Sequence, residues 1–235
     1  MPVGNTPQQL LDAGYTPKEI YDEGYPLSQI YGSLYQGGVI FYLNTTTGYG
    51  MVTLTSSSGN DIPWGCYGTL IGTSDSIGSG KRNTQLILEN CLDRPIAASV
   101  ANDLVEGGYD DWFLPSKDEV SQILSNTNIS YFNSPFAEIW TSSEDGQFNA
   151  YFYNQTVSSL FNGDKSWSWQ DVLAVREFGG SNTYTTNISG TYFLTVTDSL
   201  GCSTNDSVYV DVKIGGCTDS TAFNYDPLAE CNNGT

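Results

Sequence analysis

Apolar residues recur with a ten-residue period in the first part of the chain. Three similar units begin near Pro7, Pro17 and Pro26, and each places apolar or aromatic residues shortly before a glycine. Proline favours the first turn of a helix and glycine ends it, so each unit is predicted to form one short helical turn. Because a single turn is unstable alone, we expect the units to stack over residues 1–36 as a helical stalk or cap. Such a segment acts as a spacer or, alternatively, as a module that docks a partner.

From residue 37 the pattern becomes that of β-strands. Residues 39–43 and 50–54 are apolar and β-rich on either side of a turn, which predicts a hairpin. Residues 55–82 form a long Ser/Gly/Thr-rich loop, and loops of this length are usually functional or held by a cross-link. Residues 139–178 are predicted to hold three further strands. We expect the last of them, 172–178, to pair with the opening strand 39–43.

Helical spacing of apolar residues predicts three helices between these strands, at 83–90, 95–106 and 116–125. Gly107 and Gly108 suit the left-handed conformation that ends the second helix.

The segment that follows the glycine pair organises this region. The run 112–114, Trp-Phe-Leu, is too apolar for a solvated loop and is expected to fill a core, as is Trp140. Ser116 is predicted to be the N-cap of the third helix. Glu119, three residues later, completes a capping box.

These motifs resemble the Lcl C-terminal domain family, the terminal domain of collagen-like bacterial adhesins. The resemblance rests on the glycine pair, Asp-Trp, Leu-Pro-Ser and acidic helix start within 107–119. It extends to five further segments in the family's order: Gly37–Tyr42, Asn83–Thr84, Ile139–Glu144, Ala150–Tyr151 and Val172–Arg176. The resemblance covers residues 37–178 and implies an α+β, C-type-lectin-like fold that serves adhesion or ligand binding and is often trimeric.

The five cysteines follow no zinc-binding spacing. Cys66 and Cys91 are the two within the family-like region, and we expect them to form a disulfide. Cys217 and Cys231 are the next expected pair, which leaves Cys202 without a partner. The alternative is that all five cysteines are reduced and buried.

Two shorter segments complete the domain organisation. Residues 179–214 contain two alternating stretches, 191–197 and 207–213, and resemble the last strands of Ig-like repeats on bacterial surface proteins. Residues 215–235 resemble a Cys-bounded motif found at the ends of secreted surface proteins. A structural calcium bound by Asp219, Asp226 and Glu230 is conceivable there, since calcium prefers carboxylate oxygens; no other cofactor is expected.

Charge restricts the partners. With 26 acidic and 8 basic residues the net charge is −18, which repels nucleic acid, anionic lipid and sulfated glycans. Histidine is absent from the sequence, so imidazole chemistry is excluded. Neither a signal peptide nor an apolar run of membrane-spanning length is evident. We therefore expect no membrane insertion and a place on a cell or virion surface, reached by a signal upstream of this sequence or by another route.

Aromatic residues in a polar setting give the best candidate for a binding surface. Trp167 and Trp169 lie two apart in a Ser/Gly/Asp loop that also contains Asp164, and Tyr151 and Tyr153 share one face of a predicted strand. Such rings are typical of sugar-stacking and protein-contact surfaces. The alternative is that one or both tryptophans pack beneath the loop.

Pairs of neighbouring carboxylates offer a weaker possibility. Asp110 with Asp111, and Glu144 with Asp145, suggest glycosidic cleavage, but chance adjacency explains them in so acidic a chain. The sequence therefore predicts a non-enzymatic adhesion or receptor-binding protein that recognises a glycan or protein and forms a homo-oligomer, with a trimer favoured. The alternative is a structural subunit of an extracellular fibre, filament or virion.

Overall fold

The chain forms two compact units, 1–181 and 182–235, in a computed structural model. The structure describes residues 4–126, 138–179, 189–197, 203–211, 215–216 and 231–232. Helices and antiparallel sheets both occur, so the predicted α+β class is confirmed.

The three N-terminal repeats form the short helices α1 (Pro7–Asp12), α2 (Pro17–Asp22) and α3 (Leu27–Ile30). The first two begin with a capping box. The hydroxyl of Thr6 or Thr16 accepts from the N–H of the residue three positions later, and the side chain of that residue, Gln9 or Glu19, accepts from the threonine N–H. Each helix buries apolar residues in the same core as the rest of the first unit: Leu10, Leu11, Ile20 and Ile30. Burial in a shared core supplies the stability that a single helical turn lacks.

A four-stranded antiparallel sheet follows, with the order β1-β2-β3-β7. Its strands are β1 (Leu34–Tyr35), β2 (Gly38–Leu43), β3 (Gly50–Thr53) and β7 (Val175–Phe178). The β2–β3 hairpin is confirmed. The predicted pairing of the opening strand β2 with the closing strand β7 is wrong. Strands β1 and β3 occupy both edges of β2, and β7 pairs with the other edge of β3.

Three further helices follow: α4 (Gly80–Asn90), α5 (Ala97–Asn102) and α6 (Lys117–Asn126). Helix α6 packs on β2, and α4 packs on α5. The prediction for α6 is confirmed, whereas α4 begins three residues earlier than expected. Asn83 does not cap α4; its buried amide binds the backbone of Ser74 and the hydroxyl of Ser142 instead. Helix α5 is shorter than predicted, and Val105 beyond its end is exposed.

The segment between α5 and α6 agrees with the prediction except at its start. Gly107 and Gly108 have the expected positive φ angles, but they do not end α5, which already stops at Asn102. The Trp-Phe-Leu run 112–114 is buried as predicted. The Ser116 hydroxyl accepts from the Glu119 N–H, and the Glu119 carboxylate accepts from the Ser116 N–H at 2.8 Å. The capping box is therefore confirmed.

Arg176 on β7 ties three distant parts of the chain together. Its guanidinium donates to both carboxylate oxygens of Asp111, at 2.6 and 3.0 Å, and to the carbonyl of Gln36 at 3.1 Å. The same group lies 3.7 Å from the centre of the Tyr109 ring. The end of the repeats, the turn before α6 and the closing strand are thereby held at one point.

The second sheet of this unit is a meander of β4 (Glu138–Asp145), β5 (Asn149–Asn154) and β6 (Ser159–Asp164). With β7, the range 139–178 holds four strands instead of the predicted three. The predicted disulfide is also present: Cys66 and Cys91 are bonded with their Cα atoms 5.3 Å apart, which links the long loop 55–82 to the end of α4.

The unit 182–235 contains an antiparallel hairpin of β8 (Gly190–Thr197) and β9 (Ser203–Val210). Strand β9 begins four residues before the predicted stretch. A short parallel pair, β10 (Gly215–Gly216) and β11 (Cys231–Asn232), follows. The expected Cys217–Cys231 bond, the odd Cys202 and the calcium candidates Asp219, Asp226 and Glu230 involve positions outside the described residues.

Candidate ligand-binding surface

Aromatic rings lead from the core to the surface across the second sheet. Trp140 is fully buried, and Phe152 opposite it on β5 contacts it edge to face at 5.8 Å between ring centres. Phe161, the partner of Phe152 on β6, stacks on it at 6.0 Å and is 45% exposed. Because opposite residues of paired strands lie on one face, the rings form a continuous row that ends in solvent.

Trp167 and Trp169 extend this row. Their rings stack with centres 4.7 Å apart and planes inclined by 27°. Trp167 is half-buried and lies over Gly163, where an added Cβ would meet the indole ring at 2.7 Å. Trp169 is 55% exposed. The sequence left open whether the two tryptophans are exposed or packed. In the structure Trp167 packs on the sheet, and Trp169 faces solvent. We call Phe161, Trp167 and Trp169 the aromatic platform.

Asp164 shapes the loop that carries both tryptophans. Its carboxylate accepts from the N–H and the hydroxyl of Ser166, at 2.8 and 2.6 Å, and its carbonyl accepts from the N–H of Trp167. These bonds close a tight turn. The side chain is therefore occupied in positioning the platform.

Tyr151 and Tyr153 lie on the opposite face of the sheet from the platform. They alternate with Phe152 along β5, so their side chains point away from Phe161. Tyr153 is buried, and the half-buried ring of Tyr151 is covered by the Lys117 ammonium at 4.1 Å. The structure thus separates the two tyrosines from the tryptophans with which they were grouped by sequence.

A buried ion pair lies beneath the loops around the platform. The Lys165 ammonium donates to Glu144 at 2.7 Å and to the carbonyl of Thr69 at 2.9 Å, and it lies 4.5 Å from the centre of the Trp64 ring. Both charged side chains are almost completely buried. Glu144 also accepts from the N–H groups of Ile71, at 3.0 Å, and Gly72.

The balance of these contacts keeps the Glu144 carboxyl charged. Burial would raise its pKa, but the Lys165 ammonium and the N–H groups of Ile71 and Gly72 together outweigh burial and hold the pKa below its usual range. The carboxylate therefore fixes the 66–73 part of the long loop to β4 and to the end of β6.

Tyr67, in that part of the loop, forms a second exposed aromatic pair with Phe148 of the β4–β5 turn. Their ring centres are 5.2 Å apart, and the rings are 55% and 44% exposed. The Gly68 N–H donates to the carbonyl of Gln147, which joins the loop to the β4–β5 turn. The Lys165 N–H donates to the carbonyl of Phe148, so this pair and the platform share one frame.

Several of these residues escape prediction from the sequence. Phe161 follows Leu160 on β6 and reads as an ordinary strand residue, while Tyr67 lies in a loop with no periodic pattern. Lys165 is one of only 8 basic residues in an acidic chain, where a solvated charge is the usual expectation. Its pairing with Glu144 depends on a contact between separate elements.

Three of the four carboxylates considered for glycosidic cleavage have structural partners. Asp111 pairs with Arg176, Glu144 pairs with Lys165, and Asp145 accepts from the amide of Asn162. Among the described residues no group of three or more Asp, Glu, Cys or His side chains is arranged to hold a metal ion.

Comparison with known proteins adds no relative. No protein-family model matches the chain, and no curated protein matches it. Within the described ranges no helix has the length and apolar character needed to cross a bilayer.

Proposed function

We propose that this chain is a non-enzymatic adhesion or receptor-binding protein of a cell or virion surface. Its first unit is proposed to be a C-type-lectin-like domain that recognises a glycan or protein through the loops around the aromatic platform. The protein acts outside the cell as a homo-oligomer, with a trimer favoured, and neither nucleic acid nor a membrane is its target.

The observation that carries this proposal is the stacked pair of Trp167 and Trp169. More than half of the Trp169 side chain is exposed, and contact of this apolar surface with water is unfavourable. Monomeric proteins seldom expose a cluster of apolar rings. Here Trp167 is held over Gly163, so Trp169 is presented in one orientation without further ordering. Rigid aromatic anchors of this kind dominate binding energies at recognition surfaces.

The surroundings of the platform support a sugar or protein ligand. Ser166 and Ser168 are exposed beside the indoles. Hydroxyl groups next to aromatic rings provide hydrogen bonds without the strong solvation of charges. This composition is typical of adaptable recognition surfaces.

The test is adhesion of the Trp169→Ala variant. Fluorescently labelled intact chain would be applied to a glycan array and to panels of bacterial and animal cells. We expect Trp169→Ala to weaken binding about tenfold or more, while the matched variant Leu92→Ala, at a side chain 95% exposed and outside the platform, binds like the wild type. Equal binding by Trp169→Ala and wild type would contradict the proposal.

The hairpin β8–β9 supports the second candidate, a structural subunit of a fibre, filament or virion. Phe193, Val208 and Tyr209 are 79%, 60% and 66% exposed. Within the described residues the hairpin pairs with no further strand, and a two-stranded sheet alone is only marginally stable in water. Burial of these residues against neighbouring subunits would remove the exposed apolar surface and stabilise the hairpin. Native mass spectrometry of the intact chain tests this candidate, which predicts assemblies that Phe193→Asp dissociates and Leu92→Asp does not.

A further inference from the structure

A cavity of about 400 Å³ opens beside the aromatic platform. Its walls come from three segments: residues 61–67 of the long loop, the turn 93–96 after α4, and residues 165–166 after β6. The volume lies within the range of about 300–1,000 Å³ that is usual for small-molecule sites. We infer that this cavity binds one neutral saccharide residue, and that the aromatic platform contacts the remainder of the same glycan. This inference rests on the proposed adhesion function.

The walls of the cavity are joined to one another by bonds that need no ligand. The Cys66–Cys91 disulfide links the first wall to the second, and the Asp93 carboxylate accepts from the Cys66 N–H at 3.1 Å. The Gly65 N–H donates to the carbonyl of Lys165 at 3.0 Å, which joins the first wall to the third. Because the site is already organised, a ligand loses little affinity to ordering of the protein.

The lining combines the two kinds of surface that a pyranose ring presents. Ile62 and Pro95 provide aliphatic contacts for the C–H face of a sugar, and the exposed ring of Tyr67 provides an aromatic one.

Polar groups of the lining suit the hydroxyls of the same ring. Asp61 and Asp93 present exposed carboxylates that accept from sugar hydroxyls, and Arg94 presents guanidinium donors. Hydrogen bonds to charged groups are stronger than those between neutral groups, which favours vicinal hydroxyls over water.

Charge selects a neutral ligand. The carboxylates of Asp61 and Asp93 outnumber the Arg94 guanidinium, and the Lys165 ammonium is neutralised by Glu144 and shielded from solvent. The chain as a whole carries a net charge of −18. Sulfated or carboxylated sugars are therefore repelled both locally and at long range, whereas an uncharged hexose is not.

The position of the cavity connects it to the platform. Ser166 lines the cavity and directly precedes Trp167, while Tyr67 lines it and contacts Phe148. A glycan that places one residue in the cavity is thus bordered by exposed aromatic rings. Stacking of the next residue on such rings adds affinity without requiring a charge on the ligand.

The experiment uses saturation-transfer NMR and calorimetry on the intact chain. The probes are the methyl glycosides of glucose, galactose and mannose, their neutral disaccharides, and a sulfated disaccharide. The blocking variant is Ser166→Trp, which fills the cavity from its wall; the matched control is Ser125→Trp, at an exposed position on α6. Asp61→Asn removes one carboxylate while keeping the shape of the side chain, and asparagine tolerates the positive φ of 56° at this position.

We expect at least one neutral probe to bind, Ser166→Trp to abolish its binding, and Ser125→Trp to leave it unchanged. Asp61→Asn should weaken binding about tenfold, the effect of one lost charge-assisted hydrogen bond. Binding that survives Ser166→Trp but is lost in Trp169→Ala would overturn the cavity site and leave the adhesion function standing. Preference for the sulfated probe, or no binding of any probe, would overturn the inference, while adhesion of intact chain to cells would still decide the proposed function separately.

Discussion

Glu144 and Lys165 illustrate how one buried pair positions an exposed surface. Each is removed from water, and each is compensated by the other and by backbone groups of the 69–72 segment. A buried pair of this kind contributes little net stability compared with apolar residues. The pair instead sets the position of two surface segments, because the loop that carries Tyr67 and the turn that carries Trp167 are both bonded to Glu144 and Lys165.

Removal of one partner from this pair is expected to be costly. Lys165→Met leaves the Glu144 carboxylate buried without its cation and should lower the free energy of unfolding by about 3–5 kcal/mol, as measured by denaturant titration. The matched control is Lys18→Met, which breaks the exposed pair of Lys18 with Asp22 and should cost at most about 0.5 kcal/mol. Equal effects of the two variants would refute this assignment.

Glu119 is a second buried carboxylate, with a different balance of contacts. It is inaccessible to solvent, and it accepts from the N–H groups of Ser116, Gly78 and Gly80 at 2.8, 2.8 and 3.2 Å. Burial raises its pKa to about 7 although these N–H groups oppose the shift; the charge of Glu177 adds to the increase.

A pH dependence of stability follows from this raised pKa. The folded state binds the proton more tightly than the unfolded state, so the stabilising contribution is complete below about pH 4.5 and is lost as the pH rises through about 7. Comparison with Glu119→Gln isolates this group: the stability advantage of the wild type over the variant should shrink between pH 4.5 and 7. The exposed Glu23→Gln serves as control, and a difference that does not change with pH would contradict the prediction.

At the scale of elements, the Gly107–Gly108 turn determines how the repeats meet the rest of the unit. Both glycines have positive φ angles, but their surroundings differ. A Cβ on Gly107 would lie 2.7 Å from the Cα of Gly37, whereas a Cβ on Gly108 would meet nothing within 4 Å. The absence of a side chain at Gly107, but not at Gly108, is therefore needed for the close approach of this turn to the backbone at Gly37.

The two glycines therefore form a matched pair for mutation. Gly108→Ala should lower the free energy of unfolding by about 1–2 kcal/mol, the cost of a left-handed alanine. Gly107→Ala adds a backbone clash and should cost about 1–3 kcal/mol more, because neither main chain can move without disturbing the sheet. Thermal unfolding of both variants measures the difference, and indistinguishable midpoints would show that the close approach is unimportant.

Elements defined by neighbouring residues were predictable, and contacts between distant elements were not. The capping box of Ser116 and Glu119 and the repeat helices depend on local sequence, so spacing alone identified them. The pairing of β7 with β3 depends on β1 already occupying the other edge of β2, and the Glu144–Lys165 contact joins β4 to the turn after β6. Of the predicted binding residues, alternation along β5 placed Tyr151 and Tyr153 together correctly, but the sequence did not reveal which face of the sheet Trp167 would cover.

At the scale of the whole molecule, the disulfide limits the freedom of the longest loop. Cys66 and Cys91 are separated by 25 residues in the sequence, and the bond joins the loop to the end of α4. A cross-link over a segment of this length restricts the unfolded chain and stabilises the native state by about 3 kcal/mol in the chain-entropy view.

Loss of this bond is expected to lower stability without changing the fold. The double variant Cys66→Ala/Cys91→Ala should unfold at a lower temperature by several degrees, and reductant should destabilise the wild type but not the variant. Alkylation of both thiols in the native, unreduced protein would show that the bond does not form. The same variant should bind the neutral saccharide probes more weakly, because two walls of the cavity lose their covalent link.

The stacked indoles of Trp167 and Trp169 also give the protein an optical signature. The two indole chromophores have ring centres 4.7 Å apart and ring planes inclined by 27°, so their electronic transitions couple. Such coupling splits one absorption band into two circular dichroism bands of opposite sign. A bound ring that slides against Trp169 changes the geometry of this coupled pair, and unfolding abolishes it. Binding at the proposed recognition surface should therefore be detectable in the circular dichroism of the intact chain, with no attached label.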